Sequence, residues 1–335
     1  MAASLPFVIL THALPEGWLS PLQGHCGWVS GPPAEAGTGS QLAPQLVEHL
    51  SQADGILSLL SVAIDETLLS QAPNLRVVSN MAVGVDNVDL AACTKRGIPV
   101  GHTPGVLTEA TADLSMALIL AAARRLPESA ADARAGRWST WNPTGWLGTD
   151  LHGAVLGIAG MGKIGQAVAA RAHGFGMRLI YNDVMPLPGI EERLGASYVS
   201  FDELLERSDI LTLHVPLTDQ TRGLINAQTL RRMKSSAILV NAARGPIVEM
   251  AALQQALEKG WIAAAALDVT DPEPLPPDHP LYSLPNCLIV PHIGSATHQT
   301  RRRMAELACR NLLAAFSGER LPFCANPKVY RQPGD

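Results

Sequence analysis

The sequence predicts an α/β protein of two domains, each built around a doubly wound parallel sheet, and three observations carry this prediction. The chain has 335 residues, which is about two domains at roughly 150 residues per domain. Hydrophobic residues make up 47% of the chain and charged residues only 16%, so large buried cores are expected. Short apolar segments alternate with helix-forming segments along almost the whole chain, as in successive βαβ units.

The strands and helices are expected in two series. In the first hundred residues, strands are predicted at 7–11, 55–60, 75–79 and 99–102, and helices at 42–52 and 89–96. In the second series, strands are predicted at 154–159, 178–182, 210–214, 238–240, 264–268 and 287–290. The first series makes a small α/β unit, and the second makes a larger sheet.

Two long Ala- and Leu-rich stretches, at 106–126 and 296–316, are expected to be helices that link the domains. The chain would leave the first domain through one helix and return to it through the other. We therefore predict a discontinuous first domain, 1–102 plus 295–335, and a second domain at 103–294.

Composition excludes several classes of protein. A net charge of −5 disfavours nucleic acid and anionic membranes as partners. The longest apolar run, residues 114–123, is far shorter than the roughly 20 residues that a membrane-spanning helix needs. The N-terminus resembles a first strand rather than a signal peptide, and the five cysteines are widely spaced without a CxxC pair. The expected protein is cytoplasmic, with reduced thiols and no metal site.

A glycine-rich turn carries the first chemical signal. Residues 160–165, GMGKIG, fit the pattern GxGxxG and lie between a predicted strand and a predicted helix. Gly160 permits a tight turn, Gly162 allows the backbone to approach a pyrophosphate, and Gly165 allows close packing of the helix on the strand. The start of the helix supplies N–H groups to the phosphates. The second domain is therefore predicted to be a Rossmann-like domain that binds a dinucleotide at this turn.

The cofactor preference is predicted from Asp183, which lies at the end of the next strand. Its carboxylate can accept hydrogen bonds from the adenosine ribose hydroxyls, and it would repel the 2′-phosphate of NADP. No arginine follows it, since the next residues are VMP. NAD(H) is therefore expected to be preferred over NADP(H).

Three further polar residues follow later strands, where a doubly wound sheet places its ligands: Arg244, Glu273 and His292. A guanidinium matches a carboxylate, a histidine exchanges a proton near neutral pH, and a carboxylate can orient that imidazole. Taken singly, each residue is more often an ordinary salt bridge, loop charge or strand-end histidine. Together they form a workable set for acid–base chemistry.

The ordered motifs resemble those of the D-isomer-specific 2-hydroxyacid dehydrogenase family over nearly the whole chain. The motifs are VGVDNVD at 83–89, TPGVLTEATAD at 103–113, GMGKIG at 160–165, NAARG at 241–245, LDVTDPEP at 267–274 and PHIGSAT at 291–297. Within this family the residues of these motifs are most similar to those of glyoxylate and hydroxypyruvate reductases. The resemblance implies a smaller, flavodoxin-like substrate-binding (catalytic) domain beside the NAD-binding domain.

The resemblance also implies roles for individual residues. Arg244 would bind the substrate carboxylate and carbonyl, His292 would donate and accept the proton, and Glu273 would be the partner of His292. The backbone amides of Val83 and Gly84 would form a second carboxylate cradle. The remaining expected substrate contacts are His292 and Ser295, and the cofactor contacts are Thr108, Gly160, Gly162, Lys163, Ile164, Gly165, Asp183, Pro216, Ala242, Asp268, His292 and Gly294. Trp141 would mark the arm of a homodimer.

Residue differences from other members of the superfamily bear on the expected cofactor and substrate. NADPH-dependent animal reductases carry a small residue and an arginine at the positions of Asp183 and Val184. Phosphite dehydrogenases carry a lysine at the position of Val83, and formate dehydrogenases replace Glu273 with glutamine. The expected function is NADH-dependent reduction of glyoxylate or hydroxypyruvate. The alternatives are oxidation of phosphite, another D-2-hydroxyacid dehydrogenase activity, or an NAD-sensing, corepressor-like binding protein.

Overall fold

The computed structural model describes residues 5–33 and 39–330, which form two compact units. The first unit comprises residues 1–107 and 297–335, and the second comprises residues 108–296. The chain changes unit a few residues later than the predicted boundaries at 102/103 and 294/295. Residues 102 and 103 stay with the first unit because their backbone amides donate to Phe323 and Ala82.

Twelve strands are described, and their bounds follow the chain from one unit to the other. In the first unit they are β1 (Phe7–Leu10), β2 (Gly27–Ser30), β3 (Gly55–Ser58), β4 (Val77–Asn80) and β5 (Val100–Gly101). In the second unit they are β6 (Val155–Ala159), β7 (Arg178–Asn182), β8 (Ser197–Tyr198), β9 (Ile210–Leu213), β10 (Ile238–Asn241), β11 (Ala264–Leu267) and β12 (Cys287–Ile289).

Eleven α-helices are described, numbered along the chain. They are α1 (Pro44–Val47), α2 (Glu66–Ser70), α3 (Leu90–Lys95), α4 (Thr108–Ala123), α5 (Leu126–Arg134), α6 (Lys163–Gly174), α7 (Pro188–Leu194), α8 (Phe201–Arg207), α9 (Ala227–Leu230), α10 (Met250–Glu258) and α11 (His298–Phe316). Helix α11 belongs to the first unit, and α4 to α10 belong to the second. None of the described helices is both long and apolar enough to cross a membrane.

The first unit contains a five-stranded parallel sheet in the order β2-β1-β3-β4-β5. This is the flavodoxin-like order, whose switch point lies between β1 and β3. Helix α11 packs against β4, where Ser79 Oγ donates to the carbonyl of Ala308 at 2.9 Å. A side chain at Gly101 would collide with Asn311 of α11, so glycine allows this helix to approach β5 closely.

The second unit contains a seven-stranded parallel sheet in the order β12-β11-β10-β9-β6-β7-β8. Counted from β6, this is the Rossmann order with one additional strand, and the order reverses between β6 and β9. One apolar cluster joins the sheet to α4 and α6, and a second joins its other face to α8 and α10. The predicted fold class, with two parallel-sheet α/β domains, is confirmed.

Several elements differ from the prediction. Strands β2 and β8 were not expected, because β2 is only partly buried and both residues of β8 are exposed. The helix predicted at 106–126 ends at Ala123, since Arg125 adopts a left-handed φ of 51° and α5 begins after it. The helix predicted at 42–52 is divided into α1 and a short 3₁₀ turn, Leu50–Gln52.

Candidate active site

The glycine-rich turn lies between β6 and α6, at the point where the strand order of the second unit reverses. Gly160 has a φ of 91°, and a Cβ there would lie 2.7 Å from the carbonyl carbon of His214 at the end of β9. A Cβ at Gly165 would lie 2.1 Å from the carbonyl oxygen of Gly160. Glycine is therefore required twice, once by the positive φ and strand proximity and once by packing of the helix on the turn.

The start of α6 fits the phosphates of a dinucleotide. Gly162 is the N-cap residue, and a Cβ built on it meets no atom of the described chain within 4 Å. In the described residues, α6 has no side-chain cap and no acidic residue in its first turn. An uncapped helix start next to an open glycine suits an anion, because the first N–H groups and the helix dipole favour negative charge.

Asp183 lies beside this turn, one residue after β7. Its Oδ2 accepts from the backbone N–H of Met161 at 2.6 Å, and its Oδ1 accepts from Val184 at 2.7 Å. Each oxygen keeps a second lone pair, so both remain able to accept a hydroxyl hydrogen. The structure thus connects the predicted ribose ligand directly to the predicted phosphate loop.

Arg244 follows β10 in a turn that Asn241 stabilises. The Asn241 side chain accepts from the amide of Ala243 at 3.0 Å and donates to the carbonyl of Arg244 at 2.9 Å. A Cβ at Gly245 would lie 1.8 Å from the carbonyl oxygen of Thr270, so the turn lies directly against the segment after β11. Asn241 was not predicted, although an asparagine at a strand end is a known turn signal.

Glu273 and His292 are in contact, as predicted from the chemistry of the two groups. His292 Nδ1 lies 2.5 Å from Glu273 Oε1, and the side chains are 25% and 35% exposed. The second oxygen of Glu273, Oε2, accepts from the amide of Thr270 at 3.4 Å. A histidine that is held by a carboxylate and reaches solvent is suited to proton transfer.

Asp268 has a role that the sequence did not reveal. Its carboxylate accepts from the amides of Ile293 at 2.6 Å and Gly294 at 2.8 Å, while its own carbonyl accepts from the amide of His292 at 2.9 Å. Burial raises the pKa of Asp268, and these amide hydrogen bonds act in the opposite direction. The expected contact of Asp268 with the cofactor stays a prediction.

His292 has a φ of 49°, which is uncommon for a residue other than glycine. The hydrogen bonds that Asp268 accepts from the amides of residues 292, 293 and 294 hold the backbone at and after His292, so the surrounding structure determines the conformation. A strand-end loop fixed in this way holds the imidazole at one place relative to Glu273.

The other predicted contacts lie where strands end or helices begin. In the second unit, Thr108 begins α4, Lys163 and Ile164 begin α6, Pro216 follows β9, Ala242 follows β10, and Gly294 and Ser295 follow His292. In the first unit, Val83 and Gly84 lie in the loop after β4. These contacts stay predictions. Within the part of the chain that the structure describes, no group of three or more His, Cys, Asp and Glu residues could hold a metal ion.

A dinucleotide cradle and a histidine held by a carboxylate, both at strand ends of one Rossmann sheet, are what a nicotinamide-dependent oxidoreductase requires. This is the class that the fold and the site define. Comparison with known proteins gives the same class and identifies a family within it. The profile described as D-isomer specific 2-hydroxyacid dehydrogenase, NAD binding domain, matches residues 116–294.

Similar proteins cover almost the whole chain. The glyoxylate reductase of Korarchaeum cryptofilum is 46% identical in an alignment 336 positions long, which covers 98% of this chain and 99% of that protein. Glyoxylate/hydroxypyruvate reductase B of Yersinia enterocolitica is 47% identical over 297 residues, which are 88% and 91% of the two chains. The NADPH-dependent glyoxylate/hydroxypyruvate reductase of Sinorhizobium meliloti, solved with NADP and malonate, has a TM-score of 0.85 at 32% identity and covers 99% of this chain and 100% of its own.

The chain belongs to the D-isomer-specific 2-hydroxyacid dehydrogenase family, as its motifs predict. It is an oxidoreductase with a nicotinamide cofactor and a small 2-oxo acid as its substrate.

One histidine of this region, His214, has a buried ring nitrogen and lends itself to a test of pH-dependent stability. His214 Nε2 lies 2.9 Å from Thr212 Oγ1, and Nδ1 is buried without a hydrogen-bond partner among the described residues. Burial lowers the pKa of His214 from 6.5 to about 4. Between these values the unfolded chain binds a proton that the folded chain does not, so stability falls as the pH decreases from 6.5 to 4.

We expect His214→Gln to remove this contribution. Between pH 7 and pH 4, the free energy of unfolding of the variant should fall less than that of the wild type, by up to about 3 kcal/mol. Urea unfolding at several pH values measures this difference. His25→Gln, at an exposed histidine, is the matched control. Parallel pH dependences of His214→Gln and the wild type would show that His214 does not titrate in the unfolding transition.

Proposed function

We propose that the protein reduces glyoxylate or hydroxypyruvate with NADH, giving glycolate or the D-2-hydroxy acid, and that His292 supplies the proton. The observation that carries the proposal is the 2.5 Å hydrogen bond between His292 Nδ1 and Glu273 Oε1. It is supported by relatives named as glyoxylate reductases, which match nearly the whole chain. When bound, the reduced nicotinamide supplies the hydride that adds to the carbonyl carbon.

The hydrogen-bond partner of His292 Nδ1 indicates which ring nitrogen transfers the proton. Because Nδ1 of His292 is engaged with Glu273, Nε2 is the atom that delivers the proton to the carbonyl oxygen of the substrate. Reduction requires the imidazolium, which the carboxylate of Glu273 stabilises. After transfer the ring is neutral, with its hydrogen retained on Nδ1, and this neutral form is the base for the reverse reaction.

Arg244 is proposed as the anchor of the substrate. Its guanidinium presents a planar fork that can bind a carboxylate through two hydrogen bonds and polarise the adjacent carbonyl. Asn241 supports this role, since its two hydrogen bonds fix the turn from which Arg244 extends. Val83, Gly84 and Ser295 are proposed as further substrate contacts.

NAD(H) is the proposed cofactor, in preference to NADP(H). The support is the position of the Asp183 carboxylate, which accepts from an amide of the phosphate loop itself. A 2′-phosphate near this carboxylate would be repelled, and the next side chain, Val184, is 94% exposed and carries no charge. The Sinorhizobium meliloti relative is NADPH-dependent, so the preference has to be measured for this chain.

A homodimer is proposed on the basis of an apolar surface in the second unit. Trp138, Trp141 and Leu147 follow α5 and are 75%, 80% and 66% exposed. Large apolar side chains exposed close together in sequence often mark a protein interface. Cytoplasmic localisation stays a prediction from the sequence.

A panel of substrates tests the proposed function. We expect rapid oxidation of NADH with glyoxylate or hydroxypyruvate, slower oxidation with pyruvate and phenylpyruvate, and no reduction of NAD with phosphite. Activity with phosphite alone would support a phosphite dehydrogenase. Tight binding of NADH without turnover of any 2-oxo acid would overturn the proposal and favour a binding protein.

His292→Ala tests the assignment of the proton donor. We expect kcat for glyoxylate reduction to fall by about two to four orders of magnitude, because a general acid contributes that much. The dissociation constant of NADH, measured by fluorescence, should change little. Glu273→Gln serves as a comparison, because it keeps a hydrogen-bond acceptor for Nδ1 but removes the charge. A variant His292→Ala with near-normal kcat would exclude the ring as the proton donor.

The double variant Asp183→Ser, Val184→Arg tests cofactor selection. We expect the ratio of kcat/KM for NADPH to that for NADH to rise about tenfold to hundredfold, because a repulsive charge is replaced by a phosphate partner. Asp183→Asn is the matched control, since it removes the charge but keeps an acceptor for the Met161 amide. An unchanged ratio in both variants would place Asp183 outside the ribose site.

A further inference from the structure

The loop after β4 in the first unit has an unusual arrangement of backbone hydrogen bonds. Three consecutive carbonyl groups, those of Ala82, Val83 and Gly84, each accept a hydrogen bond. The donors are the backbone amide of Thr103 at 2.8 Å, His102 Nδ1 at 3.0 Å and Asn80 Nδ2 at 3.0 Å, in that order. Each of these peptide groups is therefore held from its carbonyl side.

Because each peptide group is planar, the bonds that hold these carbonyls also fix the direction of the adjacent N–H groups. In a trans peptide, the C=O of one residue and the N–H of the next lie in one plane and point in opposite directions. Fixing the carbonyls of residues 82, 83 and 84 thus fixes the N–H groups of Val83, Gly84 and Val85, each directed away from its carbonyl's donor. Within residues 5–33 and 39–330 these three N–H groups have no hydrogen-bond acceptor, although the residues are half-buried.

The Asn80 side chain is itself held in one orientation. It is fully buried, and its Oδ1 accepts from Ser58 Oγ at 2.9 Å and from Asn87 Nδ2 at 3.3 Å. Its Nδ2 donates to Asn87 Oδ1 as well as to Gly84. Because the carbonyl of Gly84 can only accept, Nδ2 is the atom of the Asn80 amide that must face it.

The His102 ring is likewise assigned by its partner. A carbonyl oxygen can only accept, so Nδ1 of His102 must carry a hydrogen when it bonds Val83. Half-buried amides without acceptors are costly unless an anion or water satisfies them. A loop that uses side chains to satisfy its carbonyls, and leaves its amides available, is a built donor site.

We propose that His102 and Asn80 are positioning residues that orient the amides of Val83, Gly84 and Val85 towards the carboxylate of the 2-oxo acid. This inference rests on the proposed function, because it takes the anion to be the substrate's carboxylate. Neither side chain touches the reacting atoms. They affect the affinity for the carboxylate, and this effect can be measured separately from proton transfer by His292.

His102→Leu and His102→Asn form a matched pair for the test. The two side chains have almost the same shape, but Asn places an N–H donor at the position of Nδ1 whereas Leu places a methyl group there. His25→Ala, at an exposed histidine of the same unit, is the control. The measurements are KM and kcat for glyoxylate with saturating NADH, the inhibition constant of oxamate, and the dissociation constant of NADH.

We expect His102→Leu to raise KM for glyoxylate and the inhibition constant of oxamate by about threefold to tenfold, as for the loss of one neutral hydrogen bond. The kcat value and NADH affinity should stay within about twofold, and His102→Asn should restore both raised constants. A merely structural role would lower the thermal midpoint and the active fraction, but it would leave KM unchanged. It would also show no rescue by His102→Asn.

The outcomes separate the two proposals. If the wild type does not turn over glyoxylate or hydroxypyruvate, the proposed function fails and this inference fails with it. If the wild type is active and His102→Leu retains the wild-type KM and oxamate inhibition, only the positioning role is overturned. An equal loss in His102→Leu and His102→Asn would also overturn it, because the donor would then be irrelevant.

Discussion

The parallel direction of the strands is the constraint on which the rest of the structure depends. In the second unit, all paired strands from β6 to β12 run the same way, so every strand ends at the same edge of the sheet. The glycine turn, Asp183, Arg244 and His292 follow four different strands of that sheet. The edge collects residues that are far apart in sequence, and the loops then have only to fix their orientation.

Hydrogen bonds between side chains and the peptide groups of the loops fix much of this orientation. Asp268 holds the loop of His292 through two amides, and Asn241 holds the turn of Arg244 through one amide and one carbonyl. In the first unit, Asn80 uses its amide nitrogen to hold a carbonyl of the loop after β4. Buried Asp and Asn side chains thus satisfy loop peptide groups that have no strand partner, and they give short loops a defined shape.

The sequence was sufficient for the fold class and for the class of enzyme, but not for these supports. Apolar segments such as 178–182 predict their strand correctly, because period and composition are local properties. The break at Arg125 was missed, since a left-handed residue between two good helix formers leaves no pattern. The role of Asp268 depends on amides 25 and 26 residues away, and a contact at that separation is set by tertiary structure alone.

The two strand-end histidines of the second unit, His214 and His292, differ in their hydrogen-bond partners. His214 is partly buried, its Nδ1 is shielded from solvent, and it has a hydroxyl partner, Thr212; burial lowers its pKa to about 4. His292 is a quarter exposed and has a carboxylate partner, Glu273, which can stabilise the charged ring. Proton transfer requires a group that can hold both states and reach its reactant. The same residue type is therefore held neutral at the end of β9 and is suited to catalysis after β12, and the two sites differ in the partner of the ring, a hydroxyl in one and a carboxylate in the other.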